Sequence, residues 1–212
     1  MPEKHSYLWP YWLDFLKQQK DIRIVTFGTL INRNSIQETI SSLASTEPVI
    51  ALRVKRIFNF ALIDDNYVDQ GGRYERSSRE NHISTLNIQY TGDIRDQVNG
   101  VLLSVSPGDI DALAEREYGY DIIPVEYEGS NRKGSAYMFI ARQSQQIGHR
   151  VRNDILPNES ALTICLTGAS TYGKEFLEAW INSCSLADGT ALTDHPYYKN
   201  IIDEFLDSTE SH

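Results

Sequence analysis

An inward-facing carboxylate needs a reason, and the sequence offers one at Glu117. In "DIDALAERE", Asp109 to Glu117, a helical rotation of about 100° per residue puts Ile110, Leu113, Ala114 and Glu117 in one stripe, the i, i+3, i+4, i+7 pattern of a face turned to a core. Asp111 and Glu115 fall on the flank, where solvent accounts for them. Burial and the negative end of the helix dipole both act against the charge on Glu117. A carboxyl group so placed is suited to taking a proton and returning it near neutral pH. The competing reading is a helix that frays after Ala114, so that Glu117 reaches water through Gly119.

A second feature stands about ninety residues earlier. In "VTFGTL", Val25 to Leu30, a run of β-formers stops at a glycine. The segment is either an ordinary strand end or a turn whose backbone N–H groups, from Gly28, Thr29, Leu30 and Ile31, are open to an anion. Other chemistries find less support. His5, His82, His149, His195 and His212 are scattered without HExxH spacing, and "GGRYER" follows a polar stretch where a phosphate-binding loop would follow a buried strand. His82 and His149 read as surface or satisfied core histidines. Arg73, Arg76 and Arg79, in the polar stretch Asp64 to His82, read as solvated or as partners for a carboxylate, and that stretch is expected to be a long surface loop.

These residues need a scaffold. The 212 residues suffice for one substantial core, and their composition, 41% hydrophobic and 23% charged, is that of a globular chain. Runs at Ile22–Phe27, Val49–Val54, Arg56–Ile63, Ile83–Gln89, Val98–Val105, Ile122–Tyr127 and Ala136–Ala141 predict six to seven strands. Few helical patterns separate them, which disfavours a doubly wound parallel sheet and favours an α+β fold in which a mixed sheet curls into a small barrel. "NSIQETISSL" predicts a helix with Ser35 and Glu38 at capping-box spacing, and "SPGDIDALAERE" one with Ser106 as N-cap and Pro107 at its first position. After Gly148 the segments "SALTICLTGAS", "GKEFLEAWINSC" and "YYKNIIDEFLDS" predict helices.

Charge and cysteine usage bound the partners. Twenty Lys and Arg against 29 Asp and Glu give a net charge of −9, which argues against nucleic acid. Cys165 and Cys184 lack metal-ligand spacing and suit a reducing compartment, so the expected location is cytoplasmic. No run approaches the roughly 18 apolar residues of a membrane span, and the N-terminus lacks the features of a signal peptide. Tyr7, Leu8, Trp9, Tyr11, Trp12, Phe15 and Leu16 form a dense aromatic group. It is read as a helix covering the core, or as a contact surface through which the chain could meet a second copy or a membrane.

Together the two features resemble the γ-glutamylcyclotransferase-like superfamily, whose members carry an early strand ending in a Tyr-Gly-Ser/Thr loop and, about ninety residues on, a helix-borne Glu followed three residues later by Tyr and a strand. Here these are Phe27-Gly28-Thr29-Leu30 and, in "LAEREYGYDIIPV", Glu117 and Tyr120, with "VNGVLLSV" as the strand feeding the helix. The resemblance spans about 22–141. The length favours a single domain over residues 1–212, and the segments outside that span read from their own patterns as an N-terminal aromatic helix at 1–20 and a C-terminal helical extension at 150–212; the resemblance itself implies a small mixed β-barrel with packed helices. It also implies an activity: the α-amino group of a γ-glutamyl compound attacks its own γ-carbonyl, leaving 5-oxoproline and releasing an amine, with Glu117 as base and acid and no metal or cofactor. Phe27, Gly28, Thr29, Leu30, Ile31 and Tyr120 would hold the substrate, which is left open among γ-glutamyl amino acids, peptides and amines. The chain departs from the family pattern at Phe27, which replaces Tyr, at Glu117-Tyr118 in place of Glu-Gly, and at Leu113-Ala114 in place of Leu-Asp. Glu115 is a rival base, and a non-catalytic anion-binding or interaction protein of the same fold is the alternative.

Overall fold

The computed structural model describes residues 9–40, 46–62, 74–142 and 150–210. His5, Tyr7, Leu8, Leu43, Arg73, His149, most of the Asp64–His82 stretch and the side chains of Trp9 and Tyr11 lie outside the described residues.

All seven predicted strands form, as β1 (Ile22–Thr26), β2 (Thr46–Leu52), β3 (Val54–Ala61), β4 (His82–Tyr90), β5 (Gln97–Val105), β6 (Tyr120–Gly129) and β7 (Lys133–Ala141). Five of them close a barrel in the order β1-β5-β2-β6-β7, sealed by a parallel contact between Ile24 of β1 and Tyr137 of β7. The fold is therefore mixed and non-alternating. The strands β3 and β4 leave the barrel for a second sheet, β8-β4-β3-β9, completed by β8 (Leu156–Pro157) and β9 (Cys184–Leu186).

Six helices are described: α1 (Trp9–Lys17), α2 (Arg33–Gln37), α3 (Ile110–Arg116), α4 (Glu159–Ser170), α5 (Lys174–Asn182) and α6 (Pro196–Glu210). In α1, Trp12 and Leu16 are buried, and the Trp12 ring lies edge-on to Tyr137 of β7 at 5.3 Å, so this part of the aromatic group covers its own barrel. The expected start of α2 shifts: Asn32 is its N-cap, its side chain accepting from the amides of Asn34 and Ser35, which puts Ser35 inside the helix. The start of α3 also shifts, because Pro107 to Asp109 form a turn in which Ser106 Oγ donates to Asp109 Oδ2 at 2.7 Å and regular helix begins at Ile110. "GKEFLEAWINSC" stops being helix at Asn182, since Cys184 starts a strand that pairs in parallel with Arg56 to Phe58 of β3. An available sheet edge outweighs the local helical pattern there.

Strand pairing decides where the interesting residues emerge. Because β1 runs parallel to β7, and β7 antiparallel to β6 with Ala141 opposite Tyr120, the end of β1 and the start of β6 lie at the same end of the barrel. β5 runs antiparallel to β1, so it finishes at the other end, with Val105 opposite Ile22. Helix α3, about 10 Å long at 1.5 Å per residue, carries the chain back. It delivers Glu117 to the end of the barrel where "FGTL" begins.

The β1–β5 pairing is tight. At Gly100 of β5 a Cβ would lie 2.5 Å from the Thr26 carbonyl oxygen and 2.8 Å from a Val25 methyl, so backbone would have to move to admit one. Gly100→Ala is expected to lower stability by about 1–3 kcal/mol, the usual cost of overpacking a core. Denaturant unfolding of the two proteins measures it, and equal midpoints would refute this account of the barrel.

Candidate active site

Beyond Thr26, the chain turns into a single 3-10 turn, Thr29–Ile31. Trp180 of α5 fixes its entry by donating from Nε1 to the Phe27 carbonyl at 2.9 Å. The Ile31 amide donates to the Gly28 carbonyl at 2.9 Å and the Asn32 amide to Thr29 at 3.2 Å. The Ile31 amide is thus already used, and its buried side chain lies off the cleft that the loop borders. This corrects the expectation of four open amides. Gly28, Thr29 and Leu30 border the cleft, and their amides meet no acceptor among the described residues.

Opposite the loop stands the end of α3. Ile110 and Leu113 are fully buried and Ala114 packs against the core, as the helical stripe requires, while Asp111 and Glu115 are exposed. Glu115 does not border the cleft. Glu117 is the C-cap, its amide donating to Leu113 at 3.0 Å, and its carbonyl accepts from the Tyr120 amide at 2.8 Å, which turns the chain into β6. Its side chain is 13% exposed, so the helix does not fray to release it.

Arg116, unforeseen in the sequence, is nearly fully buried. Its Nε lies 3.3 Å from Glu117 Oε1, and its terminal nitrogens donate to Thr39 Oγ1 at 2.9 Å and Ser35 Oγ at 2.7 Å. It ties the carboxylate to α2. Partial burial and the helix end act against the charge on Glu117, and the Arg116 guanidinium acts for it.

Tyr120 gives the cleft a wall. Its hydroxyl donates to the Leu86 carbonyl at 2.7 Å, and its ring lies 4.7 Å from Phe60. Burial, then the nearby Glu117 charge, push the phenol well above its ordinary range, so it stays a protonated donor. Tyr74 and Arg150, also unforeseen as site residues, complete the surroundings. The Tyr74 hydroxyl lies 3.5 Å from Thr29 Oγ1. Arg150, 5% exposed, donates from Nε to Ala61 at 2.9 Å and lies over Phe60 at 4.2 Å.

Candidates elsewhere have structural employment. His82 is buried, with Nδ1 3.0 Å from the Tyr198 hydroxyl and 3.1 Å from Glu159. Arg79 stacks on Tyr197 at 4.1 Å and does not border the cleft. Burial pushes both thiols up, Cys184 to about 12, which leaves them unreactive. Among the described residues no group of three or more His, Cys, Asp or Glu side chains is arranged to hold a metal, and no helix is long and apolar enough to cross a membrane.

No family model matches the sequence, and no curated protein matches it. Solved structures do share the fold. YkqA from Bacillus subtilis superposes with a TM-score of 0.58 at 16% identity, covering 80% of this chain and 56% of that one, so the chain spans little more than half of YkqA. A γ-glutamyl cyclotransferase gives 0.50 at 16% identity over 76% of this chain and 86% of that one. A γ-glutamyl cyclotransferase specific to glutathione, from yeast, gives 0.52 at 13% identity over 78% and 96%. At such identities the likeness is one of fold.

The turn after Glu117 is tightly packed. A Cβ on Gly119 would lie 2.6 Å from Phe60 Cζ and 2.9 Å from a terminal nitrogen of Arg150. Gly119→Ala is expected to displace both side chains and reshape the cleft at a cost of about 1–3 kcal/mol. A crystal structure of the variant checks this; Phe60 and Arg150 found in place would contradict it.

Proposed function

Proceeding from a fold shared with γ-glutamyl cyclotransferases, we propose that the protein converts γ-glutamyl compounds to 5-oxoproline with release of the amine. One observation carries the reading: a partly buried carboxylate, Glu117, and the open amides of Gly28, Thr29 and Leu30 border the same cleft.

The chemistry assigns each a task. The substrate's α-amine is protonated at neutral pH, so Glu117 as carboxylate takes a proton from it. The freed nitrogen attacks the γ-carbonyl carbon, closing a five-membered ring and placing negative charge on the carbonyl oxygen. Glu117 then returns that proton to the departing nitrogen as the carbon–nitrogen bond breaks and the carbonyl re-forms. It takes the second proton still held by the ring nitrogen, leaving the neutral lactam of 5-oxoproline and a released amine that accepts this proton to become its ammonium form. Base and acid are one group, as a partly buried carboxyl can be. The loop amides suit the α-carboxylate or the developing oxyanion, and being fixed by the 3-10 turn they need no reorganisation as charge develops. Phe27 and Tyr120 contribute walls that hold the chain folded toward its ring, an orientational advantage. Arg116 holds Glu117 in place and favours its ionised form, the form that must act first. Ile31 serves by bracing the turn.

A panel of γ-glutamyl dipeptides, glutathione and γ-glutamyl amines, assayed for 5-oxoproline by mass spectrometry, tests the reading. The wild type is expected to form product from at least one compound. Glu117→Gln keeps the shape and removes the base, and is expected to lower the rate by about 10²–10⁴-fold with the circular dichroism spectrum unchanged. Absence of product throughout, or an undiminished rate in Glu117→Gln, overturns the catalytic assignment and leaves an anion-binding protein.

A further inference from the structure

Each of the three open amides in the cleft loop is one end of a peptide unit whose other end is held. In a planar trans peptide the C=O of one residue and the N–H of the next point in opposite directions, so fixing the carbonyl fixes the amide. Asn32 donates to the Thr29 carbonyl at 3.2 Å, which sets the Leu30 N–H, and Ile31 donates to the Gly28 carbonyl at 2.9 Å, which sets the Thr29 N–H. Both bonds belong to the turn itself. The Gly28 N–H depends instead on the Phe27 carbonyl, and there the donor comes from outside the loop, 153 residues on: Trp180 Nε1, at 2.9 Å. Trp180 has little freedom to move. It is fully buried, the Arg56 guanidinium lies over its ring at 4.9 Å, and its own carbonyl accepts from Arg56 at 3.1 Å.

Resting on the cyclisation reading, we infer that Trp180 is a positioning residue for that reaction: from α5 it aims the Gly28 N–H into the cleft, toward the α-carboxylate or the developing oxyanion of the γ-glutamyl half. It acts through the peptide and does not itself border the cleft. A carbonyl that accepts a hydrogen bond polarises its own peptide, so the same contact makes the Gly28 N–H a better donor. Aim matters as much as strength, since a donor already set toward developing charge needs no reorganisation during the reaction. Without the indole N–H the Phe27–Gly28 unit loses its anchor, and the first of the three donors loses its direction while the other two keep theirs.

This one peptide can be read alone. Phe27-Gly28 is the only Phe-Gly pair in the sequence, so isotopic labelling of phenylalanine at its carbonyl carbon and of glycine at its nitrogen isolates the Gly28 amide in a carbonyl-correlated spectrum of the full chain. The probe is N-glutaryl-alanine, which keeps the carboxylate and carbonyl of the γ-glutamyl half and lacks its amine, so it cannot cyclise. At saturation it is expected to move the Gly28 amide proton downfield in the wild type. Trp180→Phe keeps a ring against Arg56 and removes the donor; the displacement is expected to shrink and the affinity to fall about threefold to tenfold, part of the worth of a hydrogen bond to a charged group. Leu177→Ala opens a cavity in the same helix and leaves the indole in place, so it is expected to lower the unfolding midpoint while the Gly28 displacement persists. A Gly28 resonance that the probe does not move, a displacement unchanged in Trp180→Phe, or one lost equally in Leu177→Ala overturns the inference. If Trp180→Phe fails to fold, benzothienylalanine at position 180, with sulfur in place of the N–H and the same bicyclic shape, takes its place in the comparison. Turnover is read apart: with any γ-glutamyl compound that the wild type cyclises, kcat/KM in Trp180→Phe is expected to fall by about the same factor, and an undiminished value also overturns the inference. Absence of 5-oxoproline from the whole γ-glutamyl panel refutes the reaction and leaves the aim of the Gly28 amide to be decided by the probe.

Discussion

Arg56 of β3 is completely buried, and the two sheets and α5 meet around it. Its terminal nitrogens donate to the Asn99 carbonyl, to Trp180 O at 3.1 Å and to Ser183 Oγ at 2.5 Å, and its guanidinium lies over the Trp180 ring at 4.9 Å. Only its Nε is without a partner among the described residues. Burial pushes the group below its ordinary range, and carbonyl dipoles, not a carboxylate, answer its charge in these contacts. A buried cation is expensive to leave unmatched, so the geometry around it is narrowly specified. Asn99 belongs to the barrel and also donates to Phe176 of α5 at 2.8 Å. Trp180, held from below by Arg56, passes the constraint on by donating to the Phe27 carbonyl, where the 3-10 turn begins. The direction of three backbone amides thus depends on a charge several residues removed from them.

A second constraint sets the carboxylate. Glu117 ends a helix only two turns long, and such a helix has little stability of its own. Ile110 and Leu113 anchor one side of α3 in the core, Lys17 of α1 reaches Asp111 at 2.7 Å, and Arg116 binds its last turn to α2. Because α2 directly follows the 3-10 turn, Arg116 joins the segment that carries the amides to the segment that carries the carboxylate. Loop and acid are held in register through α2 as well as through the barrel.

Periodic features are legible in the sequence, and features that violate hydropathy are hidden in it. The seven strands and the inward stripe through Glu117 can be read because alternation and helical spacing report burial directly. Arg56, Arg116 and Arg150 cannot, since an arginine is by default an exposed residue and each of these is buried by partners distant in the chain. β8 and β9 are too short to show alternation and exist because β4 and β3 offer them edges. Ile31 shows a different limit. Four consecutive amides look equivalent in a string of letters, but a 3-10 turn spends the fourth on the carbonyl three residues back. Tyr74 lies within a stretch that its polarity marks as a loop, and its role at Thr29 is set by tertiary contact alone.

The charge of the cleft runs against that of the protein. The chain carries −9 overall, which by itself would repel an anionic ligand, yet among the described residues the formally charged groups on the cleft wall are Arg116, Arg150 and Glu117. At physiological ionic strength the field of exposed charges is screened within about 8 Å, so the surface excess of acids reaches weakly into the cleft. Inside, where water is replaced by Phe27, Phe60, Tyr120 and Phe139, the guanidiniums and backbone amides act at short range with little screening. A ligand meeting such a site gains little from long-range steering and much from correct placement. Selectivity then depends on how many of its charged ends find a fixed partner. That is a property of the buried framework, and it returns the specificity of the cleft to the two arginines, Arg56 and Arg116, that hold its opposite walls in position.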